Sequence, residues 1–165
     1  MSYSETGNPP PGPAGFVLDA DAGDAYWWLG SLTINKVRGQ ATHGGIDIVD
    51  HRVPPGYAPP RHVHRDQDEV FFVIDGSFQV HCADRTWTAG PGSLVFLPRG
   101  VPHGFTVSAD GPGRTLLINA PAGFADLIED LGEPATQLAL PGEDVPVPDP
   151  DRAAAISEAH GIYNA

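Results

Sequence analysis

GYAPPRHVHRDQDEVFFVIDG (56–76) and GSLVFLPRGVPH (92–103) are the stretches whose reading decides the fold. In extended chain, successive side chains point to opposite faces, so His62 and His64 aim one way and Val63 the other. Glu69 opens the apolar run from Val70 to Ile74, and a hairpin back from His64 is expected to set its carboxylate beside the two imidazoles. His103 supplies a fourth arm from a distant strand. A single strand histidine is ordinarily structural. Four ligand-type residues in register with Gly56, Gly76, Gly92, Pro98 and Gly100 instead mark a metal site.

Outward from this centre, short apolar runs alternate with turn residues. Strands are expected near Phe16–Leu18, Tyr26–Leu29, Leu32–Val37, Ile46–Val53, Pro60–His64, Glu69–Ile74, Ser77–Cys82, Arg85–Thr88, Ser93–Leu97, His103–Val107 and Thr115–Asn119. Asp75-Gly76 is a strong tight-turn signal, and Ala83-Asp84 a weaker one. Many short strands with frequent Gly and Pro mean an all-β sandwich or barrel. Residues 1–15, rich in Pro, Gly and small polar residues, read as an unstructured arm. The barrel is expected over 16–120, and a helical extension packing on it over 121–165. Phe124, Leu127, Ile128 and Leu131 form one helical stripe, stopped by Gly132 and Pro134. After a Pro-rich linker, Asp151 to His160 reads as a second short helix closed by Gly161.

Composition sets bounds. The 165 residues suit one domain able to bury its own core. Net charge is −12 and Lys36 is the sole lysine, which argues against nucleic acid and anionic membranes, since phosphate binding needs clustered positive charge. The lone cysteine, Cys82, falls in an alternating strand and is expected in the core. No run approaches the ~18 apolar residues of a membrane helix, and no basic-then-apolar leader opens the chain, so the expected location is cytoplasmic.

The two motif blocks resemble the paired motifs of the cupin superfamily over roughly Gly56 to Val107. That resemblance implies a double-stranded β-helix, the jelly-roll barrel, with His62, His64, Glu69 and His103 as metal ligands. The chain departs from the pattern at Val107, where the family often has an Asn that is not a ligand. Three nitrogens and one oxygen leave two positions open in an octahedral ion. The absence of thiolates disfavours a closed structural zinc site. Iron, nickel and manganese are favoured, with cobalt, copper and zinc compatible. Alternation places Phe71 and Val73 on the face of Glu69, and Phe105 and Val107 on the face of His103, with Phe78 and Val80 as neighbours. A pocket so lined suits an apolar aromatic small molecule.

The stretch Asp50 to Gly56, and the tail from Pro121 to Ala135 with its later Asp-Pro-Asp-Arg and His-Gly-Ile segments, are similar to small bacterial proteins of the quercetin 2,3-dioxygenase type. The resemblance implies a dioxygenase that cleaves an enolic or phenolic substrate with O2, with Glu69 as general base, and a homodimer covering an exposed sheet edge. The alternatives are metal-assisted isomerisation or cyclisation without oxygen, and a non-catalytic small-molecule-binding cupin.

Overall fold

The structure is a computed structural model that describes residues 15–165. All but the last residue of the expected N-terminal arm lie outside the described residues. The chain runs β1 (Asp24–Trp28), β2 (Ser31–Val37), a 3₁₀ turn (Gly39–Thr42), β3 (Asp47–Val53), β4 (His62–His64), β5 (Asp68–Asp75), β6 (Phe78–Cys82) and β7 (Arg85–Ala89). It continues through β8 (Leu94–Leu97), β9 (His103–Val107), β10 (Gly113–Ala120), α1 (Phe124–Leu131), β11 (Glu133–Pro134), α2 (Pro150–Ala159) and β12 (Ile162–Asn164). Two antiparallel sheets result, one of seven strands in the order β11-β1-β2-β3-β10-β5-β8, the other of five in the order β12-β4-β9-β6-β7. Alternation explains their packing. Val49, Phe71, Val73, Leu97 and Leu117 of the first sheet meet Phe78, Val80 and Val107 of the second in one buried cluster. This is the all-β double-stranded β-helix.

Three local expectations differ from the structure. Phe16–Leu18 is not a strand: no neighbour among the described residues pairs with it, and Val17 is exposed. The segment just after it is held instead by Lys36 Nζ, which donates to the carbonyls of Asp19, Ala20 and Ala22. Asp75-Gly76 is a tight turn but not a hairpin, because β5 and β6 belong to different sheets. Gly76 has φ +86°, and a Cβ there would stand 2.6 Å from the Pro112 carbonyl, so only glycine fits this crossing. Nor do His64 and Glu69 sit on one hairpin, since β4 and β5 also lie in opposite sheets. The weaker signal, Ala83-Asp84, does join hydrogen-bonded neighbours, β6 and β7, with Ala83 at φ 50°.

Both helices form, and the region after residue 120 also adds a strand to each sheet. α1 buries Phe124, Leu127, Ile128 and Leu131. Its N-terminal residue Gly123 has no side chain to cap it, so buried Asp47 of β3 does so across the fold. Asp47 Oδ2 accepts from the Gly123 and Ala125 amides at 2.7 and 3.1 Å. α2 is capped by Asp149, whose Oδ1 accepts from the Asp151 and Arg152 amides at 3.1 Å. β11 pairs with β1, and β12 with β4. At two and three residues these strands carry too little periodicity to be read from sequence; pairing alone defines them. No helix among the described residues is long and apolar enough to cross a membrane.

Candidate metal centre and adjoining cavity

β4 and β9 lie side by side with His62 directly opposite His103, so one sheet presents three imidazoles to the interior. Glu69 reaches them from β5 across the core, where it pairs with Asn119 and Leu97. The ring centroids of His62, His64 and His103 are 4.7–5.1 Å apart. One donor atom from each of the four residues lies within 4.8 Å of all the others. Donors about 2.0–2.2 Å from a common ion stand roughly 3–4.4 Å apart. The cluster therefore needs to contract by only a few tenths of an ångström to hold one.

Hydrogen bonding prepares the donors. His62 Nδ1 and His103 Nδ1 each lie 2.9 Å from a backbone carbonyl, of Pro60 and Val101. A carbonyl only accepts, so both Nδ1 atoms carry a proton, which leaves Nε2 as the atom of each ring that can meet an ion. His103 Nε2 and both nitrogens of His64 are enclosed without a hydrogen-bond partner. Gln67 lies near enough to bias His64's titration but makes no hydrogen bond to it. Buried polar atoms left this way are costly, and a cation would satisfy them. Burial pushes His62 down and His64 down to about 4, so both are unprotonated at neutral pH. Burial alone would raise the Glu69 carboxyl, but the His64 and His103 imidazoles draw it down to about 2. Glu69 Oε2 stands 3.4 Å from His103 Nε2. At neutral pH the cluster thus sets a buried carboxylate beside the unprotonated imidazoles of His62 and His64, a set that favours a cation. His3Glu could hold one divalent transition ion.

His62 and Glu69 open onto a cavity of about 380 Å³. Its wall is Trp28, His51 and Phe105 from the sheets, Tyr57 from the loop between β3 and β4, and Phe124 from α1, with α2 lining one side through Ala153, Ala154, Ser157 and Glu158. No lysine or arginine lines it. Of the residues expected to form the pocket, Phe105 is on this wall. Phe71, Val73, Phe78, Val80 and Val107 are not; each is at most 1 % exposed and packs between the sheets. They do share the inward face, but the barrel interior is deeper than one layer, and their end is filled with side chains. Trp28, His51 and Tyr57 escaped the sequence reading. Alternation with Val49 and Val53 turns His51 inward, which was the available signal. The contribution of α2 had none, since it depends on where the linker returns the chain.

Two packed antiparallel sheets enclosing three imidazoles and a carboxylate define a double-stranded β-helix with a metal-capable centre. Residues 49–119 match the family described as Cupin domain, so this part of the chain is a cupin domain. Over 104 residues the chain is 25 % identical to quercetin 2,3-dioxygenase of Bacillus subtilis (strain 168). That match spans 63 % of this chain but 30 % of the relative, so the chain covers under a third of that protein's length. Among solved structures, an RmlC-like cupin from Shewanella frigidimarina NCIMB 400 superposes with TM-score 0.56 at 18 % identity, covering 66 % of this chain and 93 % of that one. KdgF from Halomonas sp. gives TM-score 0.51 at 17 % identity, covering 56 % and 79 %. These likenesses establish the shared fold.

Proposed function

We propose that this protein is a metal-dependent cupin oxygenase, a quercetinase-like dioxygenase acting on an enolic or phenolic aromatic molecule with O2. His62, His64, Glu69 and His103 are the ligands, and iron, nickel or manganese the favoured ions. The observation that carries the reading is the opening of the four-donor cluster onto an aromatic cavity without a cationic side chain. A phosphorylated or strongly anionic substrate would find no partner there, whereas a neutral ring system is matched by Trp28, Tyr57, Phe105 and Phe124. The distant likeness to quercetin 2,3-dioxygenase supports the same class.

When bound, the ion supplies Lewis acidity that favours the ionised form of a substrate hydroxyl. The chain's own residues do the rest. His62 and His103 are held in one orientation by Pro60 and Val101, which fixes the direction of their Nε2 atoms. Glu69 both belongs to the cluster and lines the cavity, so its carboxylate is placed to take the hydroxyl proton as general base. α2 and the aromatic wall give the cavity a largely apolar lining. Phe72, Leu94 and Phe96 are exposed along β5 and the edge strand β8, which supports a homodimer covering that edge.

The test is oxygen consumption by metal-reconstituted protein given a flavonol, compared between Glu69→Gln and His62→Ala. The histidine change is expected to remove most of the metal. The glutamine change is expected to keep much of it and abolish turnover. Full activity in Glu69→Gln defeats the base assignment, and product formation without oxygen uptake moves the protein to the isomerase or cyclase class.

A further inference from the structure

Far from the metal centre, the cavity wall carries a hydrogen-bond acceptor whose orientation is set by a neighbouring hydroxyl. Ser31 Oγ donates to the Trp28 carbonyl at 2.6 Å. A hydroxyl has one proton to give, so the same Oγ, 2.9 Å from His51 Nε2, can only accept there. His51 Nε2 therefore carries a proton. Burial lowers the His51 pKa to about 4, so at neutral pH the ring has no second one. Nδ1 is left as a bare lone pair. Among the described residues it has no hydrogen-bond partner, yet it is not one of the fully enclosed atoms, unlike both nitrogens of His64. His51 is 2 % exposed and lines the cavity, so that small accessible edge is the one facing it. Trp28, Tyr57 and Phe105 contact the ring edge-on at centroid distances of 6.1, 5.9 and 6.3 Å, which fixes its plane. Tyr57 Oη and Trp28 Nε1 are enclosed and so do not compete for a ligand.

We infer that His51 Nδ1 accepts a hydrogen bond from a hydroxyl on the substrate, at the end remote from Glu69, and so selects aromatic molecules hydroxylated at both ends. The inference rests on the proposed reading for the chemistry of the near end. Register separates the two groups. Thr115 of β10 faces His51 on one side, and Asn119 of β10 faces Glu69 on the other. The two positions are thus four residues apart along the sheet and two strands apart across it, about 13 Å by about 10 Å. Both side chains stand on the inward face, so the two groups are held apart along the cavity they line.

Kaempferol and galangin are suitable probes, since they share the 3-hydroxy-4-keto end and differ by one phenolic hydroxyl at the other. By titration calorimetry, the wild-type protein should bind kaempferol about three- to tenfold more tightly. His51→Phe should erase that preference while keeping galangin affinity, which also reports correct folding. Independently of any variant, long-range ¹H–¹⁵N spectra of metal-free wild-type protein should show Nδ1 of His51 unprotonated, and phenol, but not anisole, should shift it upfield. Equal affinities in the wild type, a preference that survives His51→Phe, or a protonated Nδ1 overturns the inference. If neither flavonol binds but phenol still shifts Nδ1, the flavonol reading fails and the acceptor role of His51 stands. If phenol leaves Nδ1 unmoved as well, the inference fails with it.

Discussion

Replacing His64 with leucine should make the metal-free protein more stable, not less. His64 is 0 % exposed, and neither ring nitrogen has a hydrogen-bond partner. A buried polar group in that state costs about 1–3 kcal/mol relative to being paired, and leucine of similar volume carries no such group. The ring stacks on Phe124 at 5.8 Å, so an aliphatic side chain meets an apolar neighbour there. Metal-free His64→Leu should therefore gain about 1–3 kcal/mol, or about 2–10 °C in Tm for a chain of this size. With metal at a thousandfold excess over Kd the order reverses: the wild type gains about 4.1 kcal/mol by mass action, and the variant, lacking one of four donors, gains little. Differential scanning calorimetry on chelated and metal-loaded samples of both proteins measures all four values. A metal-free variant less stable than the metal-free wild type refutes the claim that His64 is an unsatisfied group waiting for a ligand. So does an undiminished metal-induced rise in Tm for the variant.

Other consequences follow from the same geometry. Phe71→Ala should cost about 3–5 kcal/mol in denaturant unfolding yet leave metal stoichiometry near one per chain, because Phe71 packs between the sheets and not on the cavity wall. Asp47→Ala removes the two hydrogen bonds that cap α1. It should lower stability by about 2 kcal/mol and raise hydrogen exchange in α1 before the sheets. Asp50 is buried on β3, and burial alone would raise its pKa. Hydrogen bonds from Arg114 and Arg52, at 2.8 and 3.0 Å, overcome this and hold it below the usual carboxylate range. A depressed pKa contributes stability above the unfolded value of about 3.9, lost as pH falls through the folded one. Asp50→Asn should thus be less stable than wild type at pH 7, and the two curves should converge as acid unfolding is followed below about pH 4.

The strands from β1 to β10 were legible because short runs of strand-forming residues are separated by turn residues, and β6 and β10 also alternate more and less buried positions along their length. α1 was legible because four apolar side chains fall on one helical stripe. Gly132, read as its stop, does end it, but at φ −84°, not in the left-handed region. Glycine is needed because a Cβ would stand 2.6 Å from the Ile128 carbonyl and 3.2 Å from Tyr26. The partner of each strand was harder to read. Asp75-Gly76 looks like any hairpin turn, and nothing local says that the next strand joins the opposite sheet. For the same reason Glu69 was expected beside His64 on one hairpin, when it meets the imidazoles across the core.

By itself, the sequence determined the ligand-type residues, their common inward orientation and the all-β class, because strand periodicity and donor chemistry are local properties. Tertiary structure decided what no window of residues contains: that three imidazoles on one sheet meet a carboxylate from the other, and that the Phe71 layer is solid core while Phe105 faces a cavity. It also decided that a C-terminal helix lines that cavity and that Ser31 fixes the proton of His51. Each depends on which strands become neighbours and on how far apart the sheets stand, and those distances are set by the packing of the whole chain.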